Sequence, residues 1–139
     1  MSQPYYESNA WKNKSPLKYV TGSEAPKTVT IYASTVAMDT KGRRRLSPGT
    51  FLVQITSGLG VDKYGPYDKT ASDGRQSPAE GGVVFSWEAH DVTLFDRAAA
   101  GLYANCIFDQ SELTMGGYNL HGTPLTNLKA MFPTCVFDD

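Results

Sequence analysis

The chain of 139 residues is long enough for one domain with a modest core, and its 40% hydrophobic and 19% charged residues are typical of a soluble globular protein. Thirteen basic and fourteen acidic side chains leave a net charge of -1, so the whole chain has no bias toward nucleic acid or an anionic membrane. No apolar run approaches the ~18 residues of a membrane-spanning helix, and the first residues lack the apolar segment of a secretory signal. We therefore expect a chain that is made in the cytoplasm and has no membrane partner.

The residues that could carry catalysis or bind a metal are few and scattered. Cys106 and Cys135 have no C-x-x-C spacing, and His90 and His121 lie far apart in the sequence. No nucleophile stands in a known catalytic motif, and Asp73-Gly74 lacks the spaced ligands of a calcium loop. We expect no enzyme activity, no cofactor and no metal. The two thiols are interpreted as small buried groups in a reducing compartment, with a disulfide as the alternative.

The first segment, residues 1–26, is rich in aromatic side chains but has no helical or strand period, and three prolines interrupt it. Such a segment cannot bury enough surface alone to offset the entropy lost when it becomes ordered. We interpret it as an extended arm that becomes ordered on a partner, with packing against its own domain or disorder as alternatives. Residues 27–139 would then form a single β-rich domain. The candidate anchors of the arm are Tyr5, Tyr6, Trp11, Leu17, Tyr19 and Val20.

The segment Thr28–Ala37 is rich in β-branched residues and predicts the first strand of the domain. The loop that follows carries positive charge at Lys41, Arg43, Arg44 and Arg45. Four cations within five residues favour either a solvated loop or contact with an acidic protein surface. Phosphate binding has less support, because no glycine-rich cradle or base-stacking pattern accompanies the charges.

A meander of short strands is predicted for residues 46–87. Its strand-like segments are Thr50–Ile55, Val61–Asp68 and Val83–Trp87. Gly, Pro, Asp and Ser recur wherever the strand pattern stops, as at Pro48-Gly49 and at Ser72–Gly74. This alternation of strands and tight turns is typical of a scaffold that presents surfaces.

The last third of the chain predicts one more long strand and a helix. Ala98–Phe108 is interpreted as a half-buried strand because alternate residues are apolar, although its alanine content also suits a helix. Thr123-Pro124 is a typical helix start, and the helix is predicted to run to about Met131, before Pro133. Thr134–Phe137 predicts a closing strand. The expected fold is therefore mainly β, with one short C-terminal helix.

Short motifs follow one another along residues 28–137. They are Leu46–Val53, Lys63–Asp68, Asp73-Gly74, Ser77-Pro78, Gly82–Val84 and Ala100–Leu113, then the helix Leu125–Met131 and the strand Cys135–Phe137. Their order resembles that of the bacteriophage head decoration proteins of the lambda D type. The residues that carry the likeness in the scaffold are Pro48, Gly49, Tyr64, Pro66, Tyr67, Asp68, Asp73, Gly74, Pro78 and Gly82.

The resemblance implies a β-clip-like fold, an open barrel of short strands, that assembles as a homotrimer. Such a trimer binds the major capsid protein at three-fold positions on the outer surface of the expanded head. It stabilises the head against the pressure of packaged DNA. The family's amino-terminal arm adds a strand to the capsid protein, which implies that residues 1–26 dock there. The implied location is the virion surface, with no nucleic acid as a partner.

Two other classes of protein remain open from the sequence. One is a surface-displayed module that binds glycans or other ligands, with Trp87, Tyr103 and Tyr118 as a stacking platform. A core position for Trp87 would count against this class. The other is a structural head–tail or tail-tube protein, which would form hexameric or dodecameric rings rather than trimers.

Overall fold

The computed structural model describes residues 17–20, 26–104, 106–109, 113 and 128–138. Within these residues the chain is mainly β, with one 3₁₀ turn and a helical turn at 128–130, which confirms the predicted fold class. No helix in this part of the chain is long and apolar enough to cross a membrane. The strands are β1 Leu17–Val20, β2 Lys27–Ile31, β3 Arg45–Leu46, β4 Phe51–Gln54, β5 Tyr64–Pro66, β6 Val83–Ser86, β7 His90–Asp91, β8 Arg97–Leu102, β9 Cys106–Asp109 and β10 Val136–Asp138.

Five strands form a barrel in the order β2-β5-β4-β6-β8. The predicted strands Thr50–Ile55 and Val83–Trp87 correspond to β4 and β6, which pair antiparallel with Phe51 opposite Phe85. The sequence predicted an open barrel, and the structure has a closed one. Closure comes from the β2–β8 ladder, in which every residue of β2 has a partner, and it removes two exposed sheet edges.

Alternate residues of the barrel strands belong to two separate hydrophobic cores. All five strands contribute to the first core, inside the barrel, through Val29, Ile31, Leu52, Tyr64, Val84 and Ala99. The second core covers the outside of β4, β6 and β8, and later parts of the chain complete it with Phe108, Leu113, Leu128 and Phe132. Because β4 and β6 are buried on both faces, their sequences are continuous apolar runs.

A smaller sheet packs over the second core in the order β1-β9-β10. The prediction of a single strand over Ala98–Phe108 is wrong, because β8 ends at Leu102 in the barrel and β9 begins at Cys106 in the smaller sheet. Leu102 and Phe108 belong to the same core. The chain therefore bends between them, which folds one sheet over the other.

Strand β2 ends at Ile31, six residues before the predicted end at Ala37. The next residues form the 3₁₀ turn Ala33–Thr35, in which the Thr35 hydroxyl donates to the carbonyl of Tyr32 at 2.6 Å. The Ala33 N–H donates to the Asp96 carboxylate at 2.9 Å instead of to a strand. These side-chain hydrogen bonds outweigh the strand preference of the β-branched residues here.

The end of the chain has a helical turn followed by a strand. Residues 128–130 are helical, the chain turns through Pro133, and β10 then pairs parallel with β9. β10 begins at Val136, two residues after the start of the predicted strand Thr134–Phe137. The predicted helix start at Thr123-Pro124 lies outside the described residues.

Candidate functional site

The first scaffold motif forms a turn that Ser86 holds in place. Gly49 has φ +77°, in the left-handed region that favours glycine, and its N–H donates to the Ser86 carbonyl at 2.7 Å. The hydroxyls of Ser86 and Thr50 both donate to the carbonyl of Ser47, at 3.0 and 2.6 Å. Pro48 and Gly49 are buried in this turn. They therefore hold β4 against β6 and do not present a binding surface.

The second scaffold motif is also structural. Tyr64 is only 3% exposed and belongs to the core inside the barrel, and the ring of Tyr67 packs 6.0 Å from that of Phe51. The carbonyl of Pro66 accepts a hydrogen bond from the Arg75 guanidinium at 3.1 Å. This motif therefore fastens the loop after β5 to the barrel.

The remaining motif residues shape the loop between β5 and β6. The Asp68 carboxylate accepts bonds from the hydroxyl and N–H of Thr70, and these bonds lower its pKa. Gly74, with φ +110°, lies so close to Thr56 that an added Cβ would stand 2.4 Å from the Thr56 hydroxyl. The carbonyl of Asp73 accepts the N–H of Thr56 at 2.8 Å. The last two members, Pro78 and Gly82, are half-buried.

Two loops meet at one end of the barrel. Ile31 of β2 pairs with the first residue of β5 and with the first residue of β8, so these strand ends lie side by side. The loop 56–63 leads into β5 here, and the loop 92–96 leads into β8. An ion pair between Lys63 Nζ and Asp96 Oδ2, at 2.6 Å, joins the two loops.

The two loops at this end of the barrel carry the three most exposed large apolar side chains of the described residues. Leu59, Leu94 and Phe95 are 93%, 81% and 65% exposed, and we call them the barrel-end surface. Their loops are held firmly, since Gly60 packs so tightly on the ring of Tyr32 that a Cβ would stand 2.4 Å from it. Because an ion pair joins the two loops, their exposed apolar side chains are a candidate contact surface for another molecule.

The predicted basic loop borders the barrel-end surface. The Arg44 N–H donates to the Thr93 hydroxyl at 2.9 Å, and the Arg44 carbonyl accepts the N–H of Val92 at 2.8 Å. Both partners lie in the loop that carries Leu94 and Phe95. Positive charge and exposed apolar groups therefore occur next to each other.

Acidic side chains partly offset the charge of the basic loop. Arg43 Nε pairs with Asp39 Oδ2 at 3.2 Å. The Arg43 N–H also donates to this carboxylate, and that bond is the main cause of the lowered pKa of Asp39. Arg45 lies in β3 opposite Asp91, and Lys41 is exposed. These two carboxylates offset part of the charge of the four cations. The loop is therefore less positive than the run Lys41–Arg45 alone suggests.

The arm residues fall into two groups. Leu17–Val20 form β1, which pairs with β9 in the chain's own sheet. The candidate anchors Leu17, Tyr19 and Val20 therefore lie in a strand that pairs within this chain. Tyr5, Tyr6 and Trp11 lie outside the described residues, and the chain before β1 comprises residues 1–16.

The three aromatic residues of the glycan-binding alternative differ in their surroundings. Trp87 is 37% exposed. Tyr103 is half-buried and packs against both cores, so its ring supports the fold. Tyr118 lies outside the described residues. Of these three residues, only Trp87 is an exposed ring in the described part of the chain, and one ring is short of a stacking platform.

The described residues include no group of three His, Cys, Asp or Glu side chains that could hold a metal. His90 is half-buried, and His121 lies outside the described part of the chain.

Sequence reasoning left open whether Cys106 and Cys135 are near each other, and the structure brings them together. The pairing of β9 with β10 creates this proximity, and no spacing along the sequence reveals it.

Comparison with known proteins assigns no role to these residues, because no protein-family model, curated protein or solved structure matches the chain.

Proposed function

We propose that this chain is a capsid decoration protein that binds the major capsid protein on the outside of the expanded phage head. The observation that carries the proposal is the barrel-end surface, where Leu59, Leu94 and Phe95 are exposed on loops that Lys63 and Asp96 join. The order of the lambda D-like motifs supports it, since their residues form the turns and core contacts of a β scaffold. In this proposal the protein is a homotrimer at three-fold positions, where it stabilises the head against the pressure of packaged DNA.

We assign the barrel-end surface to the contact with the capsid protein. Full burial of two leucines and one phenylalanine would contribute roughly 5 to 8 kcal/mol. The loss of translational and rotational freedom costs about as much, so a single copy would bind weakly. Three linked copies raise the effective concentration for the second and third contacts into the millimolar range, which makes the attachment stable. The basic loop beside the surface would face acidic groups of the capsid protein.

The chain before β1 supplies a second contact in this proposal. Tyr5, Tyr6 and Trp11 are the aromatic residues of this segment, and aromatic residues dominate binding hot spots. As an added strand, the segment would bind through main-chain hydrogen bonds to an exposed sheet edge of the capsid protein. Removal of residues 1–26 would also remove β1 from the chain's own sheet, so the informative truncation ends at residue 16.

Co-sedimentation tests the proposal. Purified protein is mixed with expanded, undecorated heads assembled from the capsid protein of the same phage genome, and the pellet is quantified against protein concentration. The samples are the full chain, the truncation of residues 1–16 and the double substitution Leu94→Ser with Phe95→Ser. Val136→Thr is the matched control, because Val136 is 55% exposed but lies on β10 in the smaller sheet. The mass of the free protein is measured in parallel by sedimentation equilibrium.

We expect the full chain and Val136→Thr to pellet with the heads and to saturate. The double substitution and the truncation should each weaken binding by at least tenfold, because each removes one of the two proposed contacts. If the full chain does not pellet, capsid decoration is wrong for this protein. If the full chain pellets and the double substitution binds equally well, the barrel-end surface is not the docking site.

A further inference from the structure

The two cysteines occupy neighbouring positions on parallel strands. Val136 of β10 pairs with Ile107 of β9. Because the strands run in the same direction, one step back along each places Cys135 beside Cys106. Paired positions on adjacent strands are about 5 Å apart, within the ~4.4–6.8 Å between Cα atoms that a disulfide requires. The backbone therefore already has the spacing of a cross-strand disulfide, while both thiols are free.

The two sulfurs are in contact and chemically distinct. The Cys106 thiol lies within hydrogen-bond reach of both the Cys135 sulfur and the Ala104 carbonyl, the latter at 3.1 Å, and the Cys106 N–H and the Thr134 hydroxyl donate to the Cys135 sulfur. Of these, the bond from the Cys106 thiol contributes most, and together they lower the pKa of Cys135 to about 7. The same bond to Cys135, followed by burial, raises the pKa of Cys106. Cys135 is therefore the thiol that ionises first and the better nucleophile at neutral pH.

The two thiols differ in their exposure to solvent. Cys106 is only 3% exposed, whereas Cys135 is half-buried. A cleft of about 510 Å³ is lined in part by Ala104 and Thr134, which precede Cys106 by two residues and Cys135 by one residue. A volume of this size admits a small peptide-like molecule. Cys135 is thus the more accessible of the two thiols.

We propose that Cys106 and Cys135 form a redox-active pair, which small-molecule disulfides such as oxidised glutathione convert to an intramolecular disulfide. The Cys135 thiolate attacks one glutathione sulfur, which forms a mixed disulfide and releases one glutathione thiolate. Cys106 then gives its proton to solvent and attacks the Cys135 sulfur, which expels the second glutathione. Two protein thiols are oxidised to one disulfide, and one glutathione disulfide is reduced to two glutathione thiols.

This disulfide would fasten β10 more tightly within the smaller sheet. It closes a ring of about 30 residues and ties the approach to β10 directly to β9. Phe132 and Phe137, which flank Cys135, pack in the second core with Phe85. Oxidation would restrict the unfolded chain without moving these side chains, and the folded state would become more stable. The inference is independent of capsid binding and holds whether or not the protein decorates a head.

The test is oxidation of the full-length protein with about 5 mM oxidised glutathione at neutral pH, followed by intact mass and a non-reducing peptide map. We expect loss of two hydrogen atoms per chain, a peptide cross-linked through Cys106 and Cys135, and a Tm higher by roughly 10 °C than in the reduced protein. The reduced protein should also react with iodoacetamide at least tenfold faster at Cys135 than at Cys106.

Two single substitutions complete the test. Cys106→Ser should stop at the mixed disulfide on Cys135, with a mass gain of one glutathione, whereas Cys135→Ser should stay unmodified because Cys106 is buried. The proposal is overturned if oxidised wild-type protein retains two alkylatable thiols, carries only glutathione adducts or forms dimers linked between chains. These outcomes are read on the wild-type chain, so they do not depend on how well the variants fold.

Discussion

Asp96 connects three segments of the chain through its two carboxylate oxygens. Its Oδ2 pairs with Lys63 Nζ at 2.6 Å, and its Oδ1 accepts the Ala33 N–H at 2.9 Å. The Lys63 ammonium also lies 5.1 Å from the ring centre of Tyr32. The two loops of the barrel-end surface are therefore fixed to the end of β2 by one acidic side chain. The rigidity of the candidate docking surface depends on this contact.

Substitutions at Asp96 and Lys63 separate the ion pair from the backbone hydrogen bond that Asp96 accepts. Asp96→Ala removes the ion pair and leaves the Ala33 N–H without its acceptor, so we expect a loss of about 1–2 kcal/mol in the free energy of unfolding. Lys63→Gln removes only the ion pair, in which the Lys63 side chain is 37% exposed, and should cost less than about 0.5 kcal/mol. Urea denaturation measures both variants, with Glu80→Ala as an exposed control. Equal losses for the Asp96 and Lys63 variants would contradict the role of the backbone hydrogen bond.

Two phenylalanines allow the same substitution in opposite environments. Phe85 is fully buried, and its ring lies 5.0 Å from the rings of both Phe108 and Phe132. Phe85→Ala should lower the free energy of unfolding by about 3–5 kcal/mol, because it leaves a cavity in the second core. Phe95→Ala should change it by less than about 0.5 kcal/mol, because the ring is 65% exposed. Chemical denaturation measures the free energy of unfolding of both variants. A loss of several kcal/mol in Phe95→Ala would show that Phe95 supports the fold.

Gly101 lies close to Val84 inside the barrel. A Cβ on Gly101 would stand 2.8 Å from Cβ and Cγ2 of Val84 on the neighbouring strand. We expect Gly101→Ala to lower the free energy of unfolding by about 1–3 kcal/mol through overpacking. Gly82→Ala is the matched control, since the nearest atom there lies at 3.4 Å on the flexible Gln54 side chain. If the clash is the cause, combining Gly101→Ala with Val84→Ala should give a smaller loss than the sum of the single losses.

The amino-acid pattern predicts those strands whose burial is uniform. β4 and β6 are apolar on both faces, so their runs of apolar residues define them directly. β8 and β9 were predicted as one strand because the alternation of apolar residues from Leu102 to Phe108 continues across the bend between them. A periodic pattern records which side chains are buried, and it does not record that the strand changes sheets.

The candidate site was harder to predict than the fold. The basic loop was visible as a run of charges, but its neighbours Asp39 and Asp91 come from the loop start and from another strand. The sequence does not mark Leu94 and Phe95 as exposed, and the loop that carries them is held by hydrogen bonds from Ala33 to Asp96 and from Arg44 to Thr93. Contacts between distant segments decide these features, and a single sequence contains no record of them.

His90 should make the fold less stable under mildly acidic conditions. Its side chain is half-buried in β7, opposite Leu46, and burial lowers its pKa below 6.5. Glu88 acts in the opposite direction, and Arg97 adds to the lowering. Its Nε2 is buried and has no hydrogen-bond partner among the described residues. Protonation would therefore place a charge where neither water nor an acceptor compensates it.

The direction of the pH effect follows from proton binding. The unfolded chain binds the His90 proton more readily than the folded state, so the contribution of His90 is complete above about pH 6.5 and is lost as the pH falls through the folded pKa. We expect the free energy of unfolding to fall between about pH 7.5 and 5.5 in the wild type and in His121→Gln, but to fall less in His90→Gln. Urea denaturation at a series of pH values, followed by tryptophan fluorescence, gives these slopes. Equal slopes for His90→Gln and the wild type would show that another group causes the loss. If the free energy of unfolding depended less on pH only in His121→Gln, the loss of stability would be assigned to His121.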